Sequence, residues 1–464
     1  MTRYAILLQV MLCGLPALVV PPLAHAEPVD LLHVYSQAVV QDARLNASRY
    51  QFQAQREDVA QAQAGLLPAL TLGANAETAQ DDPTAGPRTR RGIGYQANLT
   101  QPLVRLDRWY GLKAAKAATD QAQLELADKE QALILRTAEL YFDTLRAIDA
   151  LAATAAEVKA LHRQQSQAQA LLTDGAANIT DVLDAKAAYD NALANHKRAE
   201  REVADAFEAL NRLTRQNHSE IVGITHALPI QPLEPSDPGV WVEQGLRGNL
   251  ALLASTQAVG VAEQHIRQRQ AGHAPTLDAV VSWRQSTLRQ LGYSDPFAET
   301  RLAVELNIPI YLGGLTASQV RQGTARLSQR QQEHEDQRRE LVLQIRNLHR
   351  AVNADIEQVH ARGQSIRSSQ ASLKANQVGR VLGSRNTADV LDAERRLYRA
   401  VREYNDARYA YILDTLRLKQ AAGSLAHQDL VELSRHLRAH GDRPHDLLPP
   451  PAQTVEPPET SRSG

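Results

Sequence analysis

The most suggestive pair of chemical groups in the sequence is Asp389 and Asp392, which stand three residues apart at the start of a predicted helix. That spacing places both carboxylates on one face of the helix. Acidic groups near a helix N-terminus interact favourably with the helix dipole, by about 0.3–1 kcal/mol each. Taken by themselves, the residues therefore favour helix capping as the role of this pair.

Other candidate motifs do not support a catalytic or cofactor site. His436 and His440 are four residues apart, with His445 nearby, and could chelate a metal, but a solvated helix end is favoured because no further ligand is evident. Residues 92–97 (GIGYQA) match part of a dinucleotide fingerprint, yet they lie inside a strand pattern instead of at a strand-to-helix turn. We therefore expect no enzyme, no cofactor and no metal.

The composition indicates packed helices more than a compact enzyme. The 464 residues include 51 Lys and Arg against 52 Asp and Glu, which argues against a nucleic-acid partner. Hydrophobic residues make up 43 %, so the chain as a whole is not disordered. Aromatic residues make up only 4 %, although large globular cores rely on them. The single cysteine, Cys13, excludes disulfides within the chain.

The first 26 residues form a predicted signal peptide. Arg3 precedes an apolar stretch from 5 to 20, and the segment ends in small residues at 24 and 26, so cleavage is expected before Glu27. A membrane-spanning helix is the alternative, but the run is shorter than the roughly 20 residues required and contains Pro16. No later stretch reads as a spanning helix. If the mature chain lies in a membrane, it must cross as a barrel.

The remaining chain is an internal duplication. Residues 175–185 (GAANITDVLDA) recur as 383–393 (GSRNTADVLDA), 208 residues later. Residues 63–70 (QAGLLPAL) recur as 270–277 (QAGHAPTL), and 99–103 (LTQPL) recur as 306–310 (LNIPI), both 207 residues later. Three matches in nearly one register indicate two copies of a unit of about 200 residues.

Each copy combines two hydrophobic periods. Alternation with period two predicts strands near 69–79, 92–101, 275–286 and 299–309, with one apolar face and one polar face. A sevenfold spacing, as in Ile345, Val352 and Val359, predicts long supercoiled helices. Prolines mark the expected strand–helix junctions, because proline is tolerated at the ends of such elements and not inside them: Pro68, Pro102, Pro275 and Pro309.

These patterns divide the chain into predicted segments. The first repeat covers 27–215, with a long helix near 103–173, a tip turn at 174–179 and a return helix to 215. An equatorial linker covers 216–237. The second repeat covers 238–438, with a long helix near 315–379, a tip turn at 380–387, a return helix to 421 and a short helix to 438. The tail, 439–464, is rich in proline and is expected to be disordered.

Four strands cannot close a barrel alone, and an open sheet in lipid would leave its edges unpaired. Three chains would supply twelve strands, which is enough to enclose a pore. The expected fold is therefore mainly α with a β-barrel. It is a trimeric twelve-stranded membrane barrel, four strands per chain, continued out of the membrane by a long α-helical coiled-coil barrel.

The residues resemble the TolC family of outer-membrane channel-tunnels over nearly all of 29–438. The opening 30–38 (DLLHVYSQA) resembles the first helix of the family, and 65–68 (GLLP) its entry into the first strand. The stretch 308–314 (IPIYLGG), followed by Gln319 and Val320, resembles the start of the second long helix. Segments 178–181 and 385–393 resemble the periplasmic hairpin tips and are the most specific part.

The resemblance implies a set of functional residues at the tips. Asp389 and Asp392 match two acids at the periplasmic entrance, where three chains would form a cation-attracting ring. Arg385 matches a gate arginine, and Thr180 and Asp181 match the polar pair that such an arginine bridges. Arg380 stands where the family has an aromatic gating residue, and it either pairs with Asp181 or is solvated. The turns containing Gly175, Thr180, Gly383 and Thr387 match adaptor-docking sites, although Asp174 replaces an apolar residue.

The resemblance also implies the function and the partners. The expected function is a passive exit duct through the outer membrane for cargo from an inner-membrane ABC or proton-driven transporter and a periplasmic adaptor (membrane fusion protein). One alternative is a dedicated type I secretion channel for a large protein such as a toxin. A secreted coiled-coil structural protein is a second alternative, against which the paired amphipathic strands and their prolines argue.

Overall fold

The computed structural model describes residues 28–81, 88–175, 178–224, 229–287 and 297–438. The predicted signal peptide, the tail and most of the two strand–strand loops therefore lie outside the described residues, as do His440 and His445. No helix in the described ranges is both long enough and apolar enough to cross a membrane.

The two halves of the chain contain the same order of elements. The first half runs α1 (Leu31–Gln41), α2 (Ala43–Ala64), β1 (Ala69–Asp81), β2 (Arg88–Val104), α3 (Leu106–Thr173) and α4 (Ile179–Thr214). The second half runs α5 (Pro238–Gly248), α6 (Leu250–Gln270), β4 (Thr276–Ser286), β5 (Phe297–Asn307), α7 (Leu315–Val381) and α8 (Thr387–Ala421). Between and after the halves lie β3 (Gly223–Ile224), α9 (His427–Ser434) and β6 (Leu437–Arg438).

Capping side chains start the shorter helices. The Asp30 carboxylate accepts a hydrogen bond from the His33 amide at 2.7 Å at the start of α1. The Asn249 side chain accepts one from the Leu252 amide at 2.9 Å at the start of α6. Each bond satisfies an amide that the helix itself leaves unpaired.

The long strands form one antiparallel sheet in the order β1-β2-β4-β5. Its register aligns apolar residues into rows across all four strands, as in Leu70, Leu99, Val281 and Leu302. The intervening rows are mainly polar, because successive side chains of a strand point to opposite faces. The apolar face is uncovered in the single chain, where Leu72 is 79 % exposed and Leu302 is 77 % exposed.

β2 extends beyond its expected end because Pro102 does not terminate it. The register with β4 shifts between Pro102 and Val104, which marks a bulge, and α3 starts at Leu106 instead of near 103. A bulge tolerates a residue that has no amide to donate. Pro68 and Pro275 directly precede β1 and β4. Pro309 follows the end of β5 after one intervening residue. A turn through Gly313 and Gly314, both with positive φ, then leads into α7.

The helices pack into two antiparallel hairpins, α3–α4 and α7–α8, which meet where α3 contacts α8. Inside the second hairpin the sevenfold residues are buried: Ile345, Val352, Val359, Ile366 and Leu373 on α7, with Val390 and Leu397 on α8. In α4 the same register includes His196, whose ring nitrogen Nδ1 lies 3.2 Å from the Thr154 hydroxyl of α3. Sevenfold spacing of buried residues is the pattern of a coiled coil.

The largest apolar cluster lies midway along the helices. It joins α1 and α3 to α8, α9 and the segment around β3, and its members include Leu31, Phe142, Ile221 and Ile412. The C-terminal segment differs from the expected helix to 438. α9 ends at Ser434, and Leu437–Arg438 forms the strand β6, which pairs with β3. The linker is thereby joined to the segment after α9 through backbone hydrogen bonds.

Candidate gate site at the hairpin tips

The turn between α3 and α4 presents two of the predicted gate residues. Gly175 has a φ of +71°, a left-handed conformation that glycine adopts without a steric penalty. The Asn178 amide donates to Oδ2 of Asp181 at 3.2 Å, which closes a capping box at the start of α4. Thr180 and Asp181 are exposed. Residues 176 and 177 lie outside the described ranges.

The turn between α7 and α8 repeats this construction. Gly383 has a φ of +75°, and three residues later Asn386 caps α8, accepting from the Asp389 amide at 2.8 Å. The Asn386 amide in turn donates to Oδ2 of Asp389 at 3.1 Å. The bond from the asparagine amide to the aspartate carboxylate is therefore the same in both tips, because the spacing from glycine to asparagine to aspartate is the same. The helix-capping role predicted for Asp389 is the one observed within the single chain.

Gly379 is a residue that the sequence analysis missed. The Arg385 amide donates to the Gly379 carbonyl at 3.1 Å, and the Arg385 side chain lies over this glycine. A Cβ added to Gly379 would lie 2.7 Å from Cγ of Arg385, so a larger residue here would displace the arginine. The signal in the sequence is a glycine in the last turn of a long helix, where glycine otherwise weakens the helix.

The two acids of the predicted ring differ in their surroundings. Asp389 is half-buried and is held by the capping box. Asp392 is 62 % exposed, and its carboxylate lies 3.7 Å from Nη1 of Arg395. Arg395 also donates to Glu157 of α3 at 3.0 Å. Asp392 is therefore linked through one arginine to the neighbouring hairpin.

The predicted gate residues are not brought together within one chain. Arg380 and Arg385 are exposed, and among the described residues neither guanidinium forms an ion pair or a hydrogen bond with Thr180 or Asp181. The reason is the order of the helices: α3 packs on both α4 and α8, and α8 packs on α7. The first tip is therefore at one edge of the chain and the arginine-bearing helix α7 is at the other. The backbone of Thr387 starts α8, and its side chain lies outside the described part.

The contact between the two hairpins changes character along its length. Near the middle of α3 it is mainly apolar, with Phe142 and Leu145 packed in the cluster that contains Ile412 of α8, beside one ion pair between Glu139 and Arg417 at 2.7 Å. Towards the tips it becomes polar, and the ion pairs across it are Arg146–Asp406 at 3.3 Å, Arg395–Glu157 at 3.0 Å and Arg163–Glu394 at 3.5 Å. We call this polar part, from 146 to 163 of α3 and from 394 to 409 of α8, the polar seam.

A recessed carboxylate lies where the apolar contact gives way to the polar seam. Oδ2 of Asp149 accepts hydrogen bonds from the Tyr409 hydroxyl at 2.8 Å and from Nδ2 of Asn405 at 3.0 Å. Burial raises the pKa of Asp149 to about 6, although both hydrogen bonds act in the opposite direction. The sequence gives no local signal for this group, because a single acid on a long helix is typical of a solvated face.

No group of three or more metal-ligating side chains occurs among the residues that the structure describes. His436 is the one member of the predicted histidine cluster within those ranges, and it follows the end of α9.

Comparison with known proteins agrees with this architecture. The family model described as outer membrane efflux protein matches residues 34–214 and 241–424. The chain is similar to the outer membrane protein TolC of Escherichia coli, with 32 % identity over 431 residues, 89 % of this chain and 86 % of TolC. It is also similar to the proteases secretion protein PrtF of Dickeya chrysanthemi, with 28 % identity over 88 % of this chain and 91 % of PrtF.

Among solved structures, the CmeC outer membrane channel of Campylobacter jejuni superimposes with a TM-score of 0.73. The match covers 88 % of this chain and 90 % of CmeC at 14 % identity, so it compares the folds alone. The sequence matches cover both repeats and the tips between their helices. The chain belongs to the family of outer membrane efflux proteins, and it is an outer-membrane protein whose helical part extends into the periplasm.

Proposed function

We propose that three copies of the chain close into one exit duct, which passes cargo from the periplasmic side to the outside without catalysing a reaction. The proposal rests on the positions of the unpaired edges. The open edges of the sheet and those of the helical layer lie on the same two sides of the chain. β1 is one sheet edge and follows α2, whereas β5 is the other edge and leads into α7. The helices nearest the sheet pack in the order α2-α3-α6-α7, so α2 and α7 are the helical edges.

Joining copies edge to edge satisfies both layers at once. Strand β5 of one copy would pair with β1 of the next, which removes unpaired backbone groups from the lipid. Three copies supply twelve strands, a number that encloses a pore. The exposed apolar rows of the sheet would face lipid, and the polar rows would line the interior.

The same closure brings the gate residues together between copies. The α7 edge of one copy would lie beside the α4 edge of the next, so that Arg385 approaches Thr180 and Asp181 of its neighbour. Oδ1 of Asp181 has no hydrogen bond in the described part of the chain, whereas Oδ2 closes the capping box. A charge-assisted bond to this oxygen would stabilise the closed tip by about 1.5–3 kcal/mol per copy. Arg380 is the alternative donor to Asp181.

The tip turns and the similarity to outer membrane efflux proteins support two kinds of partner. We expect a periplasmic adaptor to dock at the turns containing Gly175 and Gly383, beside Thr180 and Thr387, and an inner-membrane ABC or proton-driven transporter to supply the energy. In the closed ring, Asp389 and Asp392 of three copies would place six carboxylates around the entrance, and such a ring attracts cations.

The assembly is tested by native mass measurement of the protein extracted from outer membranes. We expect a trimer of chains that begin at Glu27. A monomer that retains strand structure, or an intact leader on the extracted chain, would contradict the proposal.

The ring and the gate are tested by conductance in a planar bilayer. Multivalent cations added from the periplasmic side should block the wild-type channel, and Asp389→Ala with Asp392→Ala should abolish the block. Asp184→Ala is the matched control, because Asp184 occupies the position of Asp392 in the first repeat and should leave the block intact. Arg385→Ser and Asp181→Ala should each raise the conductance, and combining them should add little if the two residues are partners. A response to Arg380→Ser alone would move the gate to that residue.

Type I secretion of a large protein is the second candidate, since PrtF is a proteases secretion protein by name and aligns along nearly the whole chain. Neighbouring genes distinguish the two: an ATPase beside a large secreted protein favours secretion, and a proton-driven pump favours efflux of small molecules.

A further inference from the structure

Asp149 occupies a position from which it can control the contact between the two hairpins. Both of its hydrogen-bond donors belong to α8, and both are buried: Tyr409 is 2 % exposed and Asn405 is 4 % exposed. Both bonds end on the same oxygen, Oδ2, so Oδ1 can carry a proton without breaking either. A neutral carboxyl can therefore keep both hydrogen bonds in the closed contact, and it does not require burial of a charge.

Charged groups of three helices surround Asp149. Arg146 of α3 lies 2.6 Å from Asp143 and 3.3 Å from Asp406 of α8. Glu202 of α4 and Arg402 of α8 line the same groove. Arg408 of α8 lowers the pKa of Asp149, and Asp406 raises it. Burial outweighs these charges and raises the pKa of Asp149 from 3.8 to about 6.

We propose that Asp149 is a proton-operated clasp: with a proton on Oδ1 it holds α3 closed on α8, and loss of that proton favours separation of the polar seam. The apolar contact around Phe142 holds the two hairpins together on one side of Asp149, whereas ion pairs such as Arg395–Glu157 and Arg163–Glu394 join them on the other side. Separation would therefore begin at Asp149 and run towards the tips. The clasp concerns one chain and holds whether or not the chain is an export duct.

The direction of the pH effect follows from linkage. In a separated seam water hydrates the carboxylate, and its pKa returns towards 3.8, so the closed seam binds the proton more tightly. Lowering the pH through 6 therefore shifts the equilibrium towards the closed seam. A difference of about two pKa units corresponds to at most a roughly hundredfold change in the ratio of closed to separated forms.

A second acid titrates in the same range and serves as a control. Burial, together with Asp414, raises the pKa of Asp355 to about 6. Asp355 is on α7 and Asp414 is on α8, so this pair belongs to the contact inside the second hairpin. A pH effect that originates at Asp355 would not require the polar seam.

The test is hydrogen exchange of the α8 backbone amides at 401–409 in the purified full chain, between pH 4.5 and 8. Asp149→Asn, which is neutral at every pH and retains an acceptor oxygen, is compared with wild type at the same pH, so that the intrinsic pH dependence of exchange cancels. Wild type should exchange faster than Asp149→Asn above pH 6, by up to about hundredfold, and the two should converge at acid pH. Asp355→Asn should retain the wild-type profile.

Two further measurements keep the test decisive if Asp149→Asn folds poorly. Infrared difference spectra of Asp355→Asn, which lacks the other acid that titrates in this range, should still show a neutral carboxylic acid that titrates near pH 6. Tyr409→Phe removes a donor that favours the carboxylate, so it should move the exchange midpoint to higher pH. Parallel exchange profiles of wild type and Asp149→Asn, or a midpoint that follows Asp355→Asn instead, would overturn the proposal.

Discussion

The helix contact inside the α7–α8 hairpin and the polar seam between the two hairpins are built from different chemistry. Inside the α7–α8 hairpin, sevenfold apolar residues such as Ile366 and Leu397 form a continuous buried row. Between the hairpins, the polar seam joins α3 to α8 through ion pairs and the hydrogen bonds of Asp149. Apolar burial is non-directional and strong, whereas partly exposed ion pairs contribute little and exchange readily with water.

The difference in chemistry indicates which parts of the protein can move as units. The α7–α8 hairpin is stabilised as one body by its apolar row. The polar seam can separate at a lower cost, because water replaces the hydrogen bonds that are lost. Substitutions inside the α7–α8 hairpin should therefore cost more than substitutions in the polar seam.

The largest effect is expected inside a hairpin. Leu397→Ala leaves a cavity at a fully buried position and should destabilise the α7–α8 contact by about 2–5 kcal/mol. The measurement is the opening free energy of the α8 amides at 390–401 by hydrogen exchange. Leu343→Ala is the control, since Leu343 of α7 is 51 % exposed and its loss should have little effect. Equal effects of the two changes would refute the view that the sevenfold row holds the hairpin together.

An intermediate effect is expected at Tyr409, at the end of the polar seam next to the apolar contact. Tyr409→Phe keeps the ring packed and removes the hydroxyl that donates to Asp149 at 2.8 Å. A hydrogen bond to a charged group contributes about 1.5–3 kcal/mol, so this change should weaken the seam by that amount above pH 6 and by less when Asp149 is neutral. Exchange of the 401–409 amides at pH 7.5 and pH 5 measures both values. A pH-independent loss would mean that the hydroxyl acts through packing alone.

The smallest effect is expected for an ion pair of the seam. Arg395 and Glu157 are each about one-third exposed, and such a pair contributes about 0.2–1 kcal/mol. A double-mutant cycle with Arg395→Gln and Glu157→Gln should give a coupling energy in that range, and it should fall at high salt because mobile ions screen the pair. Coupling above that range that resists salt would show that the seam is as rigid as the hairpins.

Much of the architecture is determined by the sequence alone, because it depends on local periodicity. Period two in the strands and period seven in the helices each report which face of an element is buried, and neither requires knowledge of the partner. The duplication predicts that both tips share one turn, and the glycine-to-asparagine-to-aspartate spacing indeed produces the same capping box at Asp181 and at Asp389. The family was also recognisable from these motifs, and the matched ranges confirm it.

Only the tertiary structure decides which surfaces meet. The order β1-β2-β4-β5, the pairing of β3 with β6 and the contact of α3 with α8 join residues far apart in the chain. The continuation of β2 past Pro102 depends on β4, which accommodates the bulge opposite it. Asp149 reads in the sequence as one more solvated acid, and it becomes a recessed, hydrogen-bonded group only because Tyr409 and Asn405 reach it from another helix. The environment of a charged side chain depends on its distant neighbours, and no local pattern records them.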